Sequence, residues 1–477
     1  MSQGEEMIKN VPEALKQIGP SFKLEPFATI IQPTIEDILA EHKKDKCRKG
    51  TLLTPFLMVW LVLTLTLRRD INYPKSLNWL ISGVRWLRLD LPAKLVKDGA
   101  ISHARVKLGV NVFQAIFYRF IWSFVPISPD FHEWVTVMFD GTSMTMPDTK
   151  SNRDKFGKPK SRSGYGAFPQ VRVVAFLVLS ARLIFDIAYA PFSGKKTGER
   201  TLMLKILEKI KRKDFLFLFD AGFYSFFIAW YMKTMQINFI MKVSSSVKLC
   251  PIPGSHLPDG SYLAAVKGKI QDPAGSANGR KRWKQVEIIV RVIVFQIKGF
   301  RTVRLITSIL DENITAREIV IHYHKRWDIE LSYDEIKTHQ CATLKGQMPT
   351  ILRSKRADLV EQELYAMMIT YNLIRSLIYE AAAKHNKDPR LISFLDSLQW
   401  IIDAIDAMSH IQNGDGGNMF DYLLDLIADS PIDRPRRLRI NPRVVKVKMS
   451  NFKRKRSGDK SKYRNFEQDI NIIAEAA

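Results

Sequence analysis

Apolar and polar positions recur along this chain with periods that change in blocks, and each change predicts a change of structure. Up to about residue 128 the spacing is helical. Thr34 is placed to cap TIEDILAEHKK, and Thr54-Pro55 reads as an N-cap followed by a proline at the first helical position. The helix opened there, PFLMVWLVLTLTLRR, is apolar nearly all round, which predicts the centre of a small bundle. Pro74 starts PKSLNWLISGVRWLR. A short polar helix, DGAISHARVKLG, and an apolar one, NVFQAIFYRFIWSF, follow.

From Glu133 the texture turns to strands. WVTVMFD predicts a buried strand ending at Asp140, followed by a loop with Lys150, Arg153, Lys155, Lys158, Lys160 and Arg162. QVRVVAFLVLS and ARLIFDIAYAP are separated by too little for a helix and predict a hairpin. GERTLMLKILEKIKRK is an amphipathic helix. FLFLFDAGF repeats the pattern of an apolar strand ending in an acid, here Asp220, and SFFIAWYMKTM and INFIMKV continue as helix and strand. This order predicts a mixed α/β layer. Turn-rich and alternating segments from about 245 to 304 predict a small β-rich insertion. Thr315 then opens a helix, two more amphipathic helices follow, and NGDGG at 413–417 reads as a flexible joint.

Charge narrows the class. Seventy-three Lys and Arg against 48 Asp and Glu leave a net +25, which favours a polyanionic partner, nucleic acid or an anionic membrane surface. The most apolar run, Phe56 to Leu67, is too short for a bilayer that needs about 20 residues, so no membrane span is expected. Cys47, Cys250 and Cys341 lie far apart without metal-ligand spacing, which argues against a disulfide framework or a zinc site. With no apolar signal segment in the N-terminal stretch, a cytoplasmic, nucleic-acid-facing protein is expected. From Arg434 to Arg464 there are 14 Lys or Arg against one acid, Asp459, a basic tail suited to non-specific phosphate contact. Ser102, His103, Arg105 and Lys107 lie on the short polar helix, which reads either as a helix-turn-helix type of DNA reader or as the surface helix of an ordinary bundle.

The candidate chemistry lies in three acidic segments. Asp140 and Asp220 end apolar strands, where a sheet edge presents them. In YHKRWDIELSYDEIK, an ideal helix puts Tyr323, Arg326, Glu330 and Lys337 within an arc of about 60°, with Ile321, Ile329, Leu331 and Ile336 outside it. Alone, that stripe is an ion-paired surface face, Glu330 with Arg326. Beside two strand-end aspartates, Glu330 completes a set of three carboxylates. Such a set suits two Mg²⁺ or Mn²⁺ ions and phosphoryl transfer. Asp334 shares the face and is either an alternative third acid or an ion-pair partner of Lys337. Trp283, in the insertion, is either a platform for a flipped base or a packing residue.

The spacing Y-x-x-R-x-x-x-E-x-x-x-x-x-x-K, here Tyr323, Arg326, Glu330 and Lys337, resembles the motif of bacterial insertion-sequence DDE transposases of the IS-four type. DGT at 140–142 and LFDAGFYS at 218–225 extend the likeness to all three acidic segments. LTPFLMVWLVL and ISHARVKLG look like that family's N-terminal domain, and PRVVKVKMSNFKRKR like its C-terminal end.

The resemblance implies an α/β fold with a ribonuclease H-like core, a mixed sheet flanked by helices, interrupted by the β-rich insertion. An all-α N-terminal domain and a helical C-terminal region complete it. The implied domains are 1–128 (helical, DNA-binding), 129–244 (core, first part), 245–304 (insertion), 305–400 (core, second part) and 401–477 (helix and basic tail). It further implies cut-and-paste transposition with two Mg²⁺ (or Mn²⁺) ions per active site. A homodimer would hold terminal inverted repeats and target DNA in a synaptic complex. Asp140, Asp220 and Glu330 would be the catalytic metal ligands, and Tyr323, Arg326 and Lys337 would hold DNA phosphates. Two rival functions fit the same chain: a DNA-binding regulator or inhibitor that keeps the fold, and a metal-dependent nuclease without strand transfer.

Overall fold

The computed structural model describes residues 25–48, 51–81, 96–124, 128–161, 164–271, 282–298, 300–341, 350–408, 416–432 and 466–474. Helix α1 (Glu25–Glu41) runs through Pro33, so Thr34 is an interior position and not the cap expected of it. The reason is packing: Phe27, Ile31, Ile35 and Ile38 form one buried stripe across the proline. Helix α2 (Pro55–Leu67) starts as read, with the Thr54 side chain accepting from the Leu57 N–H at 3.2 Å. Eleven of its thirteen residues are buried, which makes it a core helix on all sides. Helices α3 (Tyr73–Leu80), α4 (Asp98–Leu108) and α5 (Val110–Phe124) follow.

Strand β1 (Val135–Thr145) continues past Asp140, so this acid lies mid-strand and not at a strand end. Val135 to Phe139 are all buried, and exposure begins at Asp140. The expected basic loop is helix α6 (Lys150–Phe156) and a small hairpin, β2 (Lys160–Ser161) and β3 (Gly164–Tyr165). Interleaved acids neutralise most of its cations: Lys150 with Asp154 (2.8 Å), Arg153 and Lys158 with Asp148 (2.9 and 2.6 Å), Lys155 with Glu361 (2.6 Å). Strands β4 (Gln170–Val178) and β5 (Leu183–Pro191) form the expected hairpin, in register from Val171↔Pro191 to Val178↔Leu183 with a shift after Phe176. Helix α7 (Glu199–Leu207) leads to β6 (Phe215–Phe219), which is fully buried and ends immediately before Asp220. Strand β6 runs parallel to β1, from Val135↔Phe215 to Met138↔Leu218. Ser225 caps α8 (Phe226–Thr234), and β7 (Asn238–Val243) lies parallel to β6.

Strands β8 (Cys250–His256), β9 (Tyr262–Gln271), β10 (Trp283–Ile297) and β11 (Val303–Thr307) make up the segment expected as an insertion. They extend the sheet, in the order β7-β11-β10-β9-β8, because β11 pairs antiparallel with β7 from Arg304↔Val243 to Thr307↔Ile240. The Thr315 side chain caps α9 (Ala316–His324) by accepting from the Glu318 N–H. The motif is not one regular helix: a 3-10 turn (Lys325–Trp327), α10 (Asp328–Asp334) and a π turn (Glu335–His339) follow in succession. Helices α11 (Ala357–Lys384), α12 (Phe394–Met408) and α13 (Gly416–Ala428), then α14 (Phe466–Asp469) and β12 (Ile470–Ile472), complete the chain.

By packing, the chain divides into two compact units, each built from separated stretches. One holds Met1–Ile127, Asp140–Lys209 and Glu330–Ile432. Its core is α11, buried on every side from Gln362 to Ile378 and packed on α2, α5, α12 and α13. The other holds Ser128–Phe139, Ile210–Ile329 and Asp433–Ala477 and is built on the sheet from β6 to β8. Residues 466–474 are docked on this unit. Strand β12 pairs with β10 (Phe295↔Ile472 to Ile297↔Ile470), and Phe466 stacks on His324 at 3.7 Å. The basic run Arg434–Arg464 before it lies outside the described residues. Among the described residues no helix is long and apolar enough to cross a membrane.

Candidate active site

In the first unit the chemistry gathers around Asp140. Its Oδ1 accepts from the Gly141 N–H at 2.8 Å, and its carbonyl oxygen accepts from the Tyr333 hydroxyl at 2.6 Å. The same phenol oxygen accepts from the Ala175 N–H of β4 at 3.2 Å. Tyr333 is buried on α10, three residues after the exposed Glu330, so one hydroxyl fixes Glu330's helical turn to β1. Burial, with the Asp140 charge adding to it, pushes the Tyr333 phenol well above its ordinary range, which keeps it a donor. Lys337 Nζ donates to Thr142 Oγ1 at 2.9 Å. Desolvation lowers the Lys337 ammonium pKa, against the opposing pull of Cys341, Asp140 and Asp334.

Asp334 makes no contact ion pair with Lys337. It accepts from Thr338 Oγ1 at 2.8 Å and lies 3.7 Å from His339 Nε2. Glu335, which opens the π turn, is buried between Arg182 (3.1 Å), Tyr371 (3.0 Å) and Arg375, whose Nε is at 3.0 Å. On the other side of Asp140, Gly141 leaves room for the Glu199 carboxylate, which a Cβ at 141 would strike.

In the second unit Asp220 stands just past the end of β6, with Arg326 Nη2 at 3.9 Å from its Oδ1. The Arg326 guanidinium also lies over the Trp327 ring at 5.1 Å. The Tyr323 hydroxyl donates to the Phe219 carbonyl at 3.0 Å, and the residue is buried. Tyr323 therefore ties α9 to the end of β6, and its hydroxyl is turned away from solvent, unlike the phosphate contact expected of it. Trp283, first residue of β10, is 58% exposed.

The N-terminal helix needs one correction. Arg105 is buried, donating to Gln362 Oε1 (2.8 Å), Tyr73 OH (3.0 Å), Ser354 Oγ (3.3 Å) and the Leu359 carbonyl (3.2 Å). It is a structural residue, while His103 and Lys107 are exposed and Ser102 is half-buried.

The donor chemistry of Asp140, Asp220 and Glu330 fits a hard divalent cation: all are carboxylates, with the Asp220 side chain 43% exposed and Glu330 exposed. Among the described residues no three Asp, Glu, His or Cys side chains are drawn close enough to hold an ion together.

A family model for the transposase DDE domain matches residues 135–373, and one for the insertion element 4 transposase N-terminal domain matches residues 23–118. The chain belongs to the DDE transposases, enzymes that cut DNA, join it to new sites and work with divalent metal ions. Transposase InsG for insertion sequence element IS4 of Escherichia coli (strain K12) is 27% identical over 427 residues, covering 86% of this chain and 89% of that protein. A cryo-EM structure of the piggyBac transposase synaptic complex with hairpin DNA aligns over 87% of each chain at 10% identity and a TM-score of 0.42. The core is the ribonuclease H-like arrangement expected, with β1 between the hairpin strand β4 and the parallel strand β6.

Sequence reasoning missed Tyr333, Glu335 and Glu199, and quoted Thr142 within DGT without giving it a role. Tyr333 had a weak signal, a phenol one turn after the motif glutamate. Nothing local distinguished the others.

Proposed function

We propose that the protein carries out cut-and-paste transposition of an insertion sequence, with Asp140, Asp220 and Glu330 as joint ligands of two Mg²⁺ (or Mn²⁺) ions. The observation that carries this reading is the Tyr333 hydroxyl on the Asp140 carbonyl, which fixes Glu330's turn against the strand of the first acid. Bound there, the ions supply a polarised water or hydroxyl and offset charge on the leaving oxygen. In cleavage, water oxygen bonds to phosphorus as the P–O3′ bond breaks and the 3′ oxygen leaves as a hydroxyl. In transfer that 3′ hydroxyl attacks a phosphodiester of target DNA, and the displaced 3′ oxygen takes up the proton.

Arg326 at Asp220 and Lys337 at Thr142 supply cations for the phosphates flanking the cut. Tyr323 is assigned to holding α9 in place. Trp283, exposed at the start of β10, is the platform for an extrahelical base, where stacking is worth about 1–3 kcal/mol. His103, Lys107 and Ser102 remain the DNA-facing candidates of the N-terminal domain. The working form is a homodimer holding two terminal repeats, in the cytoplasm at the nucleoid.

The test uses purified protein, terminal-repeat DNA, a target plasmid and Mg²⁺. Asp140→Asn, Asp220→Asn and Glu330→Gln should each lower cleavage by about a hundredfold or more while DNA binding persists. Full cleavage by any of them removes that residue from the ligand set. Cleavage without joined products would instead favour a nuclease, and binding without cleavage by the native chain a regulator.

A further inference from the structure

We propose that the β5–α7 loop and the β2–β3 hairpin form a second contact surface for DNA backbone next to Asp140, with Lys195, Lys196, Lys160 and Tyr165 as the contacting side chains. The inference rests on the transposase reading above and adds residues that the acidic motif does not include.

Strand register brings the two segments together. Strand β4 starts where β5 ends, at Val171↔Pro191, and the Phe192 N–H donates to the Gln170 carbonyl at 3.2 Å. The hairpin feeds into β4 at that point, with the Gln170 N–H on the Gly157 carbonyl (3.2 Å) and the Gly166 N–H on the Pro159 carbonyl (2.8 Å). The loop leaves β5 from the same end of the ladder.

That loop returns to Asp140. The Glu199 carboxylate lies against Gly141, and Lys196 is three residues from Glu199, so their Cα atoms are at most about 11 Å apart. The loop is held in place. Arg172 Nη1 donates to the Thr197 carbonyl at 3.0 Å and its guanidinium covers Phe192 at 4.7 Å. Thr197 Oγ1 donates to the Gly194 carbonyl at 3.0 Å. Lys196 itself is kept at φ 59, a backbone conformation that a non-glycine residue adopts only when its surroundings impose it.

Charge then selects the occupant. The cations of α6 are matched by acids, whereas Lys195 and Lys196 are exposed and make no ion pair or hydrogen bond among the described residues. The neighbouring acid, Glu199, is turned to Gly141, with Arg172 Nε at 4.0 Å. Across the ladder end, Tyr165 is 71% exposed with Lys160 Nζ 5.8 Å from its ring centroid. Unmatched lysines and an exposed aromatic on segments that meet at one end of the β4–β5 ladder suit a phosphodiester strand, with cations on phosphates and a ring for a base or sugar.

Full-length protein would be titrated over a salt series with a terminal-repeat duplex and with an unrelated duplex. Native chain, the pair Lys195→Gln/Lys196→Gln, the pair Lys195→Arg/Lys196→Arg, and Tyr165→Ala would be compared. Cleavage of the terminal-repeat duplex by the native chain is the separate control: its absence would sink the transposase reading, while the salt series still decides the contact surface. Losing two phosphate contacts should flatten the slope of log affinity against log salt by about 1.8, with the melting temperature unchanged and the arginine pair restoring the slope. Flattening confined to the terminal-repeat duplex assigns the surface to the element end. Flattening on both, with a loss in joining of pre-cut ends, assigns it to target DNA. An unchanged slope on both duplexes with undiminished joining overturns the proposal.

Discussion

The Tyr333 hydroxyl and the Asp140 carbonyl are 2.6 Å apart, which latches two segments separated by 193 positions through one hydrogen bond. Tyr333→Phe keeps the ring and deletes the latch, leaving the Asp140 carbonyl and the Ala175 N–H without that partner. The expected cost in stability is about 1 kcal/mol. Cleavage should fall further, about tenfold or more, because a small displacement of a reacting group is amplified in rate. Half-saturation by Mn²⁺, followed by direct ion binding as well as by cleavage, should move to higher concentration. An unchanged ion titration would reduce Tyr333 to a packing residue.

Glu335, first residue of the π turn that carries Lys337, is buried between Arg182, Arg375 and Tyr371. Removing its charge strands two buried guanidinium groups. Glu335→Gln is therefore expected to cost about 3–5 kcal/mol in denaturant unfolding. A fall of less than about 1 kcal/mol would mean that the cluster rearranges around the amide.

Glu363 ties stability to acid. Burial pushes its carboxyl up, but Arg69, Arg353, the Ser354 hydroxyl and Arg105 outweigh burial, so the net pKa lies below the ordinary 4.5. A depressed carboxyl contributes its full stability above about pH 4.5 and loses it as pH falls toward the folded-state value. Urea unfolding between pH 7 and 3 should fall less steeply below pH 4.5 in Glu363→Gln than in the native chain, from a lower neutral-pH starting point. Parallel curves for the two would exclude Glu363 as the acid-sensitive group.

Phe466 fastens the C-terminal segment through its stack on His324, helped by Arg317, which donates to the Ile470 carbonyl at 3.5 Å and to the Glu467 carbonyl. Phe466→Ala should cost about 3 kcal/mol. Amide exchange at Gln296, whose N–H faces β12, should accelerate. Unaltered exchange there would show that β12 holds without the ring.

Local signals were legible wherever neighbours in sequence decide the outcome. Thr54 and Thr315 cap as read, the β4–β5 hairpin follows from its short connection, and the apolar run of β6 ends at Asp220. What stayed hidden depends on distant partners. Arg105 looks like a DNA-facing cation until Gln362, 257 positions away, takes it inward. Asp140 looks strand-terminal because the apolar run stops there, yet Thr142 and Thr145 carry the strand on. A regular helix was the natural reading of the motif, but the 3-10 and π turns replace it at Lys325–Trp327 and Glu335–His339. Nor does any periodicity state that β11, in the β-rich segment, will choose β7 as its neighbour.

The docked C-terminal strand also sets a timetable for biosynthesis. A ribosome releases chain from the N-terminus onward, and domains ordinarily fold as they emerge. Here β10 leaves the exit tunnel long before β12 is translated. Both units also interleave stretches from early and late in the message. In a nascent chain the Phe295–Ile297 end of β10 therefore stays unpaired on that edge until Ile470–Ile472 has emerged.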